Sequence, residues 1–432
     1  MEPNTLRSDR TAVRSAWPWI VAGAAFATLV AAAGFRSVPG VLMQPLQDEF
    51  GWGRGTIGLA VSVNLVLYGL FAPFAAALME RFGVRRVAAT ALLAIAVGSG
   101  AAIFVTQAWQ LILLWGFVVG LGSGAMAMSF AALIIGRWFV RRAGLVSGVL
   151  TAGGSTGQLI FLPLLSRLNE QLGWRPAALL TAGAALLAVL IVVAGLRNRP
   201  SDVDTVPWGA APDFRPAPVV PQGSVGRAFA VLGQCARRPA FWLLVGGFAI
   251  CGMTTNGLIQ THFVSAAHDH GMPQTTAAGL LALVGIFDIV GTVASGMFSD
   301  RVDPRVLLLL YYALRGMSLF ALPGLFGPHV EPPMWAFIIF YGLDWVATVP
   351  PTMALCRREF GESAPIAFGW IFASHQLGAA IAATGAGLIR DRTGDYRLAW
   401  WIAGSLCVVA ALMSIMIARN RERAPALIPA RD

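Results

Sequence analysis

Gly296-Met-Phe-Ser-Asp300-Arg301-Val-Asp-Pro-Arg305 closes one long apolar run and opens the next. Far upstream, Ala76-Ala-Leu-Met-Glu80-Arg81-Phe-Gly83-Val-Arg85-Arg86 does the same. Each places a small residue four positions ahead of an acid-Arg pair at a helix end, with further Arg where the following helix starts. A small residue lets two helix backbones approach. The acid is suited to accept from helix-end amides and to pair with Arg. One copy is a weak signal. Two copies at equivalent places indicate that an apolar unit is repeated within the chain.

The surrounding sequence sets what that unit is. Of 432 residues, 57% are hydrophobic and 12% charged, and the mean hydropathy is +0.69, a polytopic membrane composition. A crossing needs about 20 mostly apolar residues, and helices 1 to 12 are expected at 17–41, 56–79, 86–106, 109–135, 144–168, 174–196, 240–264, 274–297, 305–326, 333–356, 364–389 and 398–418. The two quoted stretches then join helices 2–3 and 8–9. The fold class is all-α, with twelve transmembrane helices in two pseudo-symmetric six-helix bundles. The expected organisation is a tail 1–16, a bundle 17–196, a linker 197–238, a second bundle 239–418 and a tail 419–432. Pro200, Pro207, Pro212, Pro216, Pro218 and Pro221 exclude a regular helix from the first part of the linker. Gly226–Ala236, with Phe229, Leu232 and Cys235 at helical spacing, reads as an amphipathic helix on the membrane interface.

Arginine placement sets the orientation. All 31 basic residues are Arg, and 23 of them lie in the tails and the even-numbered connections. By the positive-inside rule both termini are cytoplasmic; the expected location is a bacterial inner membrane. The net charge of +10 follows from that topology, with no nucleic-acid module in view. Cys235, Cys251, Cys356 and Cys407 have no metal-ligand spacing, and no phosphate-binding loop is present. The expectation is therefore no enzyme activity, no cofactor and no metal.

The two loop stretches resemble the G-x-x-x-D-R-x-G-R-R motif of the major facilitator superfamily, and the resemblance covers all twelve helices. It departs at Ala76 and Glu80 in the first copy and at Asp303-Pro304 in the second. It implies two bundles rocking about a midplane site, with Glu80, Arg81, Arg85, Asp300, Arg301 and Arg305 in the gating loops. Three further stretches are similar to the monocarboxylate porter group and its bacterial organic-anion relatives: Gly34-Phe35-Arg36-Ser37-Val38 in helix 1, Arg137-Trp138-Phe139-Val-Arg141-Arg142-Ala-Gly144 with Gly148 before and in helix 5, and Gly285-Ile-Phe-Asp288-Ile-Val-Gly291 in helix 8. That group carries Arg four residues after the helix 8 Asp; here the position is Thr292.

Four charges fall inside apolar runs: Arg36, Asp288, Arg315 and Asp344. A charge at mid-bilayer costs roughly 2.5–3.5 kcal/mol on insertion scales, so each is expected to face a cavity or a partner. Arg36 suits a substrate carboxylate, guanidinium geometry matching it; the alternative is snorkelling to the headgroups. Asp288 and Arg315 lie at similar depth and are expected to pair, with Asp344 close by. Asp288, Arg315, Asp344 and His375 are the proton-coupling candidates, the alternative being a structural pair that pins helices 8, 9 and 10. Asn64 and Tyr68 in helix 2, and Asn256, Gln260 and His262 in helix 7, are further substrate-binding candidates at helical spacing, with helix-to-helix glue as the other reading. The expectation is a monomeric secondary transporter in the lipid bilayer, moving a small monocarboxylate-type anion with protons. Two alternatives stay open: export or exchange of a neutral or cationic hydrophobic compound, and a sensor built on the transporter fold.

Overall fold

Proline in the first turn and glycine just past the last one delimit many of the helices, because the first has no N–H to lose and the second no Cβ to clash. Pro18, Pro239, Pro304, Pro332 and Pro365 are the prolines, and Gly51, Gly173 and Gly394 take positive φ at helix ends. The computed structural model describes residues 15–52, 54–211 and 224–417, apart from the side chains of 35–44, 54–56, 58, 224–225, 274–275 and 391.

Helix 1 is Trp17–Phe50, helix 2 is Arg54–Leu70 with Ala72–Phe82, helix 3 Val84–Ala101, helix 4 Ala108–Leu111 through Met128–Trp138, helix 5 Ala143–Leu172 and helix 6 Trp174–Gly195. Helix 7 runs Pro239–Gly252, Met253–Ile259 and Gln260–Asp269; helix 8 is Gln274–Ser299, helix 9 Pro304–Ala321, helix 10 Pro332–Asp344 with Val349–Phe360, helix 11 Ala364–Thr393 and helix 12 Arg397–Met416. Among the described residues ten stretches are long and apolar enough to cross a membrane, and the two pieces of helix 2, bent by 53°, make eleven. One of the ten, Pro332–Arg390, has 59 residues. At 1.5 Å per residue that is about 88 Å of helix, too long for one ~30 Å crossing. The turn at 361–363 divides it, giving twelve crossings.

The halves are packed alike. Helices 1 and 5, 2 and 4, and 3 and 6 are paired in the first half; 7 and 11, 8 and 10, and 9 and 12 are their counterparts in the second. The halves meet along helix 5 against helix 8 and helix 2 against helix 11. Glycine permits both crossings. A Cβ on Gly148 would lie 2.6 Å from the Thr292 carbonyl oxygen, and one on Gly369 would lie 2.6 Å from the Cα of Pro73. Gly144 and Gly296 face each other's carbonyls in the same crossing. These approaches lie at the linker end of the bundle.

The linker follows the prolines at first. It makes one turn at Pro200–Val203, and Trp208 then pairs with Phe139, donating its N–H to the Trp138 carbonyl (2.7 Å). The amphipathic helix is Ser224–Cys235. One face of it rests on protein. Ala228, Val231 and Cys235 are buried against helices 2 and 11, and Phe229 sits between Phe74 and Trp370 at 5.4 and 5.9 Å. Two spans also differ from expectation: helix 1 continues through Pro39 and Gly40 to Phe50, and helix 10 is broken at 345–348.

Candidate functional site

The break in helix 10 frees backbone groups deep among apolar residues, where each must find a partner. Pro350 and Pro351 explain its place, since they start the second piece and disfavour helix before them. Two neighbouring helices hold it. From helix 9, Arg315 donates Nη2 to the carbonyls of Asp344 (2.6 Å) and Trp345 (3.1 Å). From helix 8, Asp288 accepts the Val346 N–H at 3.0 Å, and the Ser295 hydroxyl donates to the Ala347 carbonyl at 2.5 Å. The cation takes the freed carbonyls and the anion takes the freed amide.

Arg315 is wholly buried, and its remaining donors are also used. Nε meets Asp344 Oδ2 at 2.6 Å, Nη1 meets Cys251 Sγ at 3.2 Å and Thr254 Oγ1 at 3.5 Å, and the rings of Tyr312 and Tyr341 lie 5.9 Å away. This corrects the expected pairing: Arg315 pairs with Asp344, because the freed carbonyls of helix 10 draw the guanidinium to that side. Asp344 Oδ1 is buried without a hydrogen-bond partner.

Asp288 is 1% exposed and is held by donors instead of a cation. Thr292 donates to Oδ1 at 2.8 Å, beside the Val346 amide, and the hydroxyl of Ser155 on helix 5 donates to Oδ2. Asp288 and Arg315 are each about 17 Å along their helices from the connection at Ser299 and Pro304, which puts both near mid-membrane. Ser155 is the residue that sequence reasoning missed. Beside it, Gly154 lines a small cavity in the first half with Leu29, Tyr68, Ser123, Met126 and Leu150.

The other candidates scatter. The Asn64 side chain donates to the Trp115 carbonyl (2.8 Å), tying helix 2 to helix 4. Tyr68 packs edge-on against Phe372 of helix 11 at 5.3 Å. Asn256 lies in a π-helical turn, Met253–Ile259, and the Thr261 hydroxyl donates to its carbonyl. Asn256 is half-buried and Gln260 exposed. His262 contacts Tyr396 Oη (3.3 Å) and the Ala383 carbonyl (2.8 Å). His375 is buried, stacked on Phe372, its Nδ1 unpartnered. The Arg36 side chain lies outside the described residues.

At the linker end Asp300 accepts the amides of Gly144 (2.7 Å) and Leu145 (3.0 Å), capping helix 5 from across the halves. Glu80 meets Arg227 of the linker helix at 3.6 Å. Arg81 lies over the Phe82 ring, the Arg85 amide donates to the Asn198 side chain, and Arg301 is exposed. Arg305 grips Asp303 at 2.7 Å, and that guanidinium holds the Asp303 carboxyl below the usual carboxylate range.

The family model for the Major Facilitator Superfamily matches residues 24–383. The chain belongs to the major facilitator superfamily. Within it, the chain is 29% identical over 421 residues to monocarboxylate transporter 3 of Rattus norvegicus, covering 96% of this chain and 82% of that one. It is 25% identical to the MFS-type transporter YcxA of Bacillus subtilis, covering 92% and 94%. The fucose:proton symporter FucP of E. coli superimposes with a TM-score of 0.71 at 16% identity, over 94% of this chain and all of that one. The last likeness shows the fold alone: the superfamily's two bundles, with a seam at helices 5 and 8 and at helices 2 and 11. The chain is a multi-pass membrane transporter of that superfamily.

Proposed function

We propose that this chain moves a small monocarboxylate-type anion together with a proton, by alternating access between the bundles 17–196 and 239–418. The observation that carries the reading is Asp288: a carboxylate buried at mid-membrane, held by donors from both halves and ion-paired to neither. A group so placed exchanges a proton as the halves part, and its surroundings change when they do. Arg36 is the proposed carboxylate anchor and Asp288 the coupling acid. Formally, Arg36, Asp288, Arg315 and Asp344 sum to zero, so an anion and a proton together leave the set neutral. The likeness to monocarboxylate transporters over nearly the whole chain supports the substrate class.

The linker end is assigned to the cytoplasm, on the placement of Arg. The crossings at Gly144, Gly148 and Gly369 then close the cytoplasmic side, which corresponds to an outward-facing or occluded state. The proposed setting is a bacterial inner membrane and the proposed state a monomer. The Arg315–Asp344 pair is assigned to scaffold. The apolar cavity wall of Leu29, Met126 and Leu150 favours a second reading, transport of a hydrophobic neutral or cationic compound. A thermal-shift screen with carboxylates, neutral compounds and cations separates the two.

The decisive test is uptake of labelled pyruvate and larger monocarboxylates into proteoliposomes under an imposed pH gradient. Arg36→Gln is expected to abolish uptake while leaving thermal unfolding unchanged. Full retained transport would sink the anchor.

A further inference from the structure

Three donors fix Asp288, and they are not equivalent. Thr292 is one turn further along the same helix, and Val346 belongs to the same half; Ser155 comes from the opposite half. Oδ1 takes Thr292 and Val346, and the second of these is an amide that cannot reverse its direction. Oδ2 takes the Ser155 hydroxyl, which can. Ser155 is half-buried, so Oδ2 is the carboxylate oxygen on the side of the seam between the halves. Of the charged groups facing Asp288 from its neighbours, Arg315 on helix 9 and Asp344 on helix 10 are engaged with each other. Helix 5 brings only hydroxyls to this seam: Ser147, which donates to Met353 Sδ, Thr151 and Ser155. On helix 7, His262 is turned to Tyr396 and Ala383.

We infer that Ser155 is a positioning residue that clasps the two halves through Asp288, and that proton uptake on Asp288 Oδ2 loosens the clasp. The inference rests on the reading of Asp288 as the coupling acid. With helices 5 and 8 crossed, the hydroxyl gives a charge-assisted hydrogen bond to Oδ2, which favours the carboxylate. A proton on Oδ2 replaces the charged acceptor by a neutral hydroxyl, and such bonds are about half as strong. The seam at Gly144, Gly148 and Gly296 is then left with a weaker polar tie at mid-membrane. Linkage makes this reciprocal: a bound proton favours separation, and separation favours the bound proton. The proton comes from water and returns to water after the halves part, and no other group changes charge.

The test uses the purified full chain and N,N′-dicyclohexylcarbodiimide, which attacks protonated carboxyls, with modification of the Asp288 peptide read by mass spectrometry across pH. Asp288→Asn marks the background. Ser155→Ala is expected to move the labelling midpoint up by ~0.5–1 pH unit, the size of one lost hydrogen bond. Ser155→Thr keeps a hydroxyl and is expected to keep the wild-type midpoint. An unmoved midpoint in Ser155→Ala, or an equal shift in both variants, overturns the clasp. Labelling needs no transported substrate, so its failure sinks the clasp alone, whereas uptake that ignores pH sinks the coupling reading.

Discussion

Asp288 and Asp344 are buried at similar depth and touch the same break in helix 10, yet they are held in opposite ways. Asp344 has a full guanidinium at 2.6 Å and lies wholly within the second half. Asp288 has three neutral donors, one of them from the other half. A desolvated ion pair inside one rigid body stays paired whichever way the bundles tilt, which suits scaffold. A carboxylate held across a moving seam by groups that can be withdrawn suits work. The difference lies in which body supplies the partners.

The strongest way to break the comparison is to remove the cation. Arg315→Leu leaves Asp344 buried and unpaired, and the expected loss is about 3–5 kcal/mol, seen as a large fall in the unfolding temperature in detergent. Adding Asp344→Leu should restore only part of it, since it removes the unpaired acid but leaves the carbonyls at 344 and 345 without the donor that Arg315 supplied. If Arg315→Leu unfolds like the wild type, the pair is not scaffold.

Asp288→Asn comes next in size. The amide oxygen still accepts from Thr292 and Val346, so a stability cost of no more than about 1–2 kcal/mol is expected. Uptake driven by a pH gradient is expected to fall by roughly tenfold or more, with exchange at equal pH retained. An unchanged pH profile would return Asp288 to the same class as Asp344.

Gly148→Val tests the seam itself. Its Cβ would meet the Thr292 carbonyl oxygen at 2.6 Å, and overpacking of this kind costs typically about 1–3 kcal/mol. The linker end should open, read as faster alkylation of a cysteine introduced at Ser299, which is buried at that end; unaltered alkylation would mean that the crossing does not gate. The smallest effect belongs to Arg227→Ala at the linker helix. Its 3.6 Å pair with Glu80 is partly exposed, so below about 1 kcal/mol is expected, and a larger drop in unfolding temperature would assign the linker helix a greater share in closing that end.

Much of this was legible before folding. The twelve crossings follow from apolar length, and the repeat from two copies of the acid-Arg loop. Asp288 stood out because a carboxylate in the midst of an apolar run has few reasons to be there. Ser155 gave no such signal, since a serine among Gly153, Gly154 and Gly157 is unremarkable in any packed helix. The break in helix 10 had a signal in Pro350-Pro351, although a continuous helix over 333–356 was expected. The π-helical turn at Met253–Ile259 had no signal in the spacing of Asn256 and Gln260.

Composition and position were enough to say where charge is buried, because the cost of taking a charge out of water is borne by each residue alone. Partnership was beyond them. Which carboxylate Arg315 meets, and that a serine from the other half closes on Asp288, depend on the rotation of each helix about its axis and on where helix 10 gives way. Those are set by packing among several helices at once, so they became visible only when the helices were assembled.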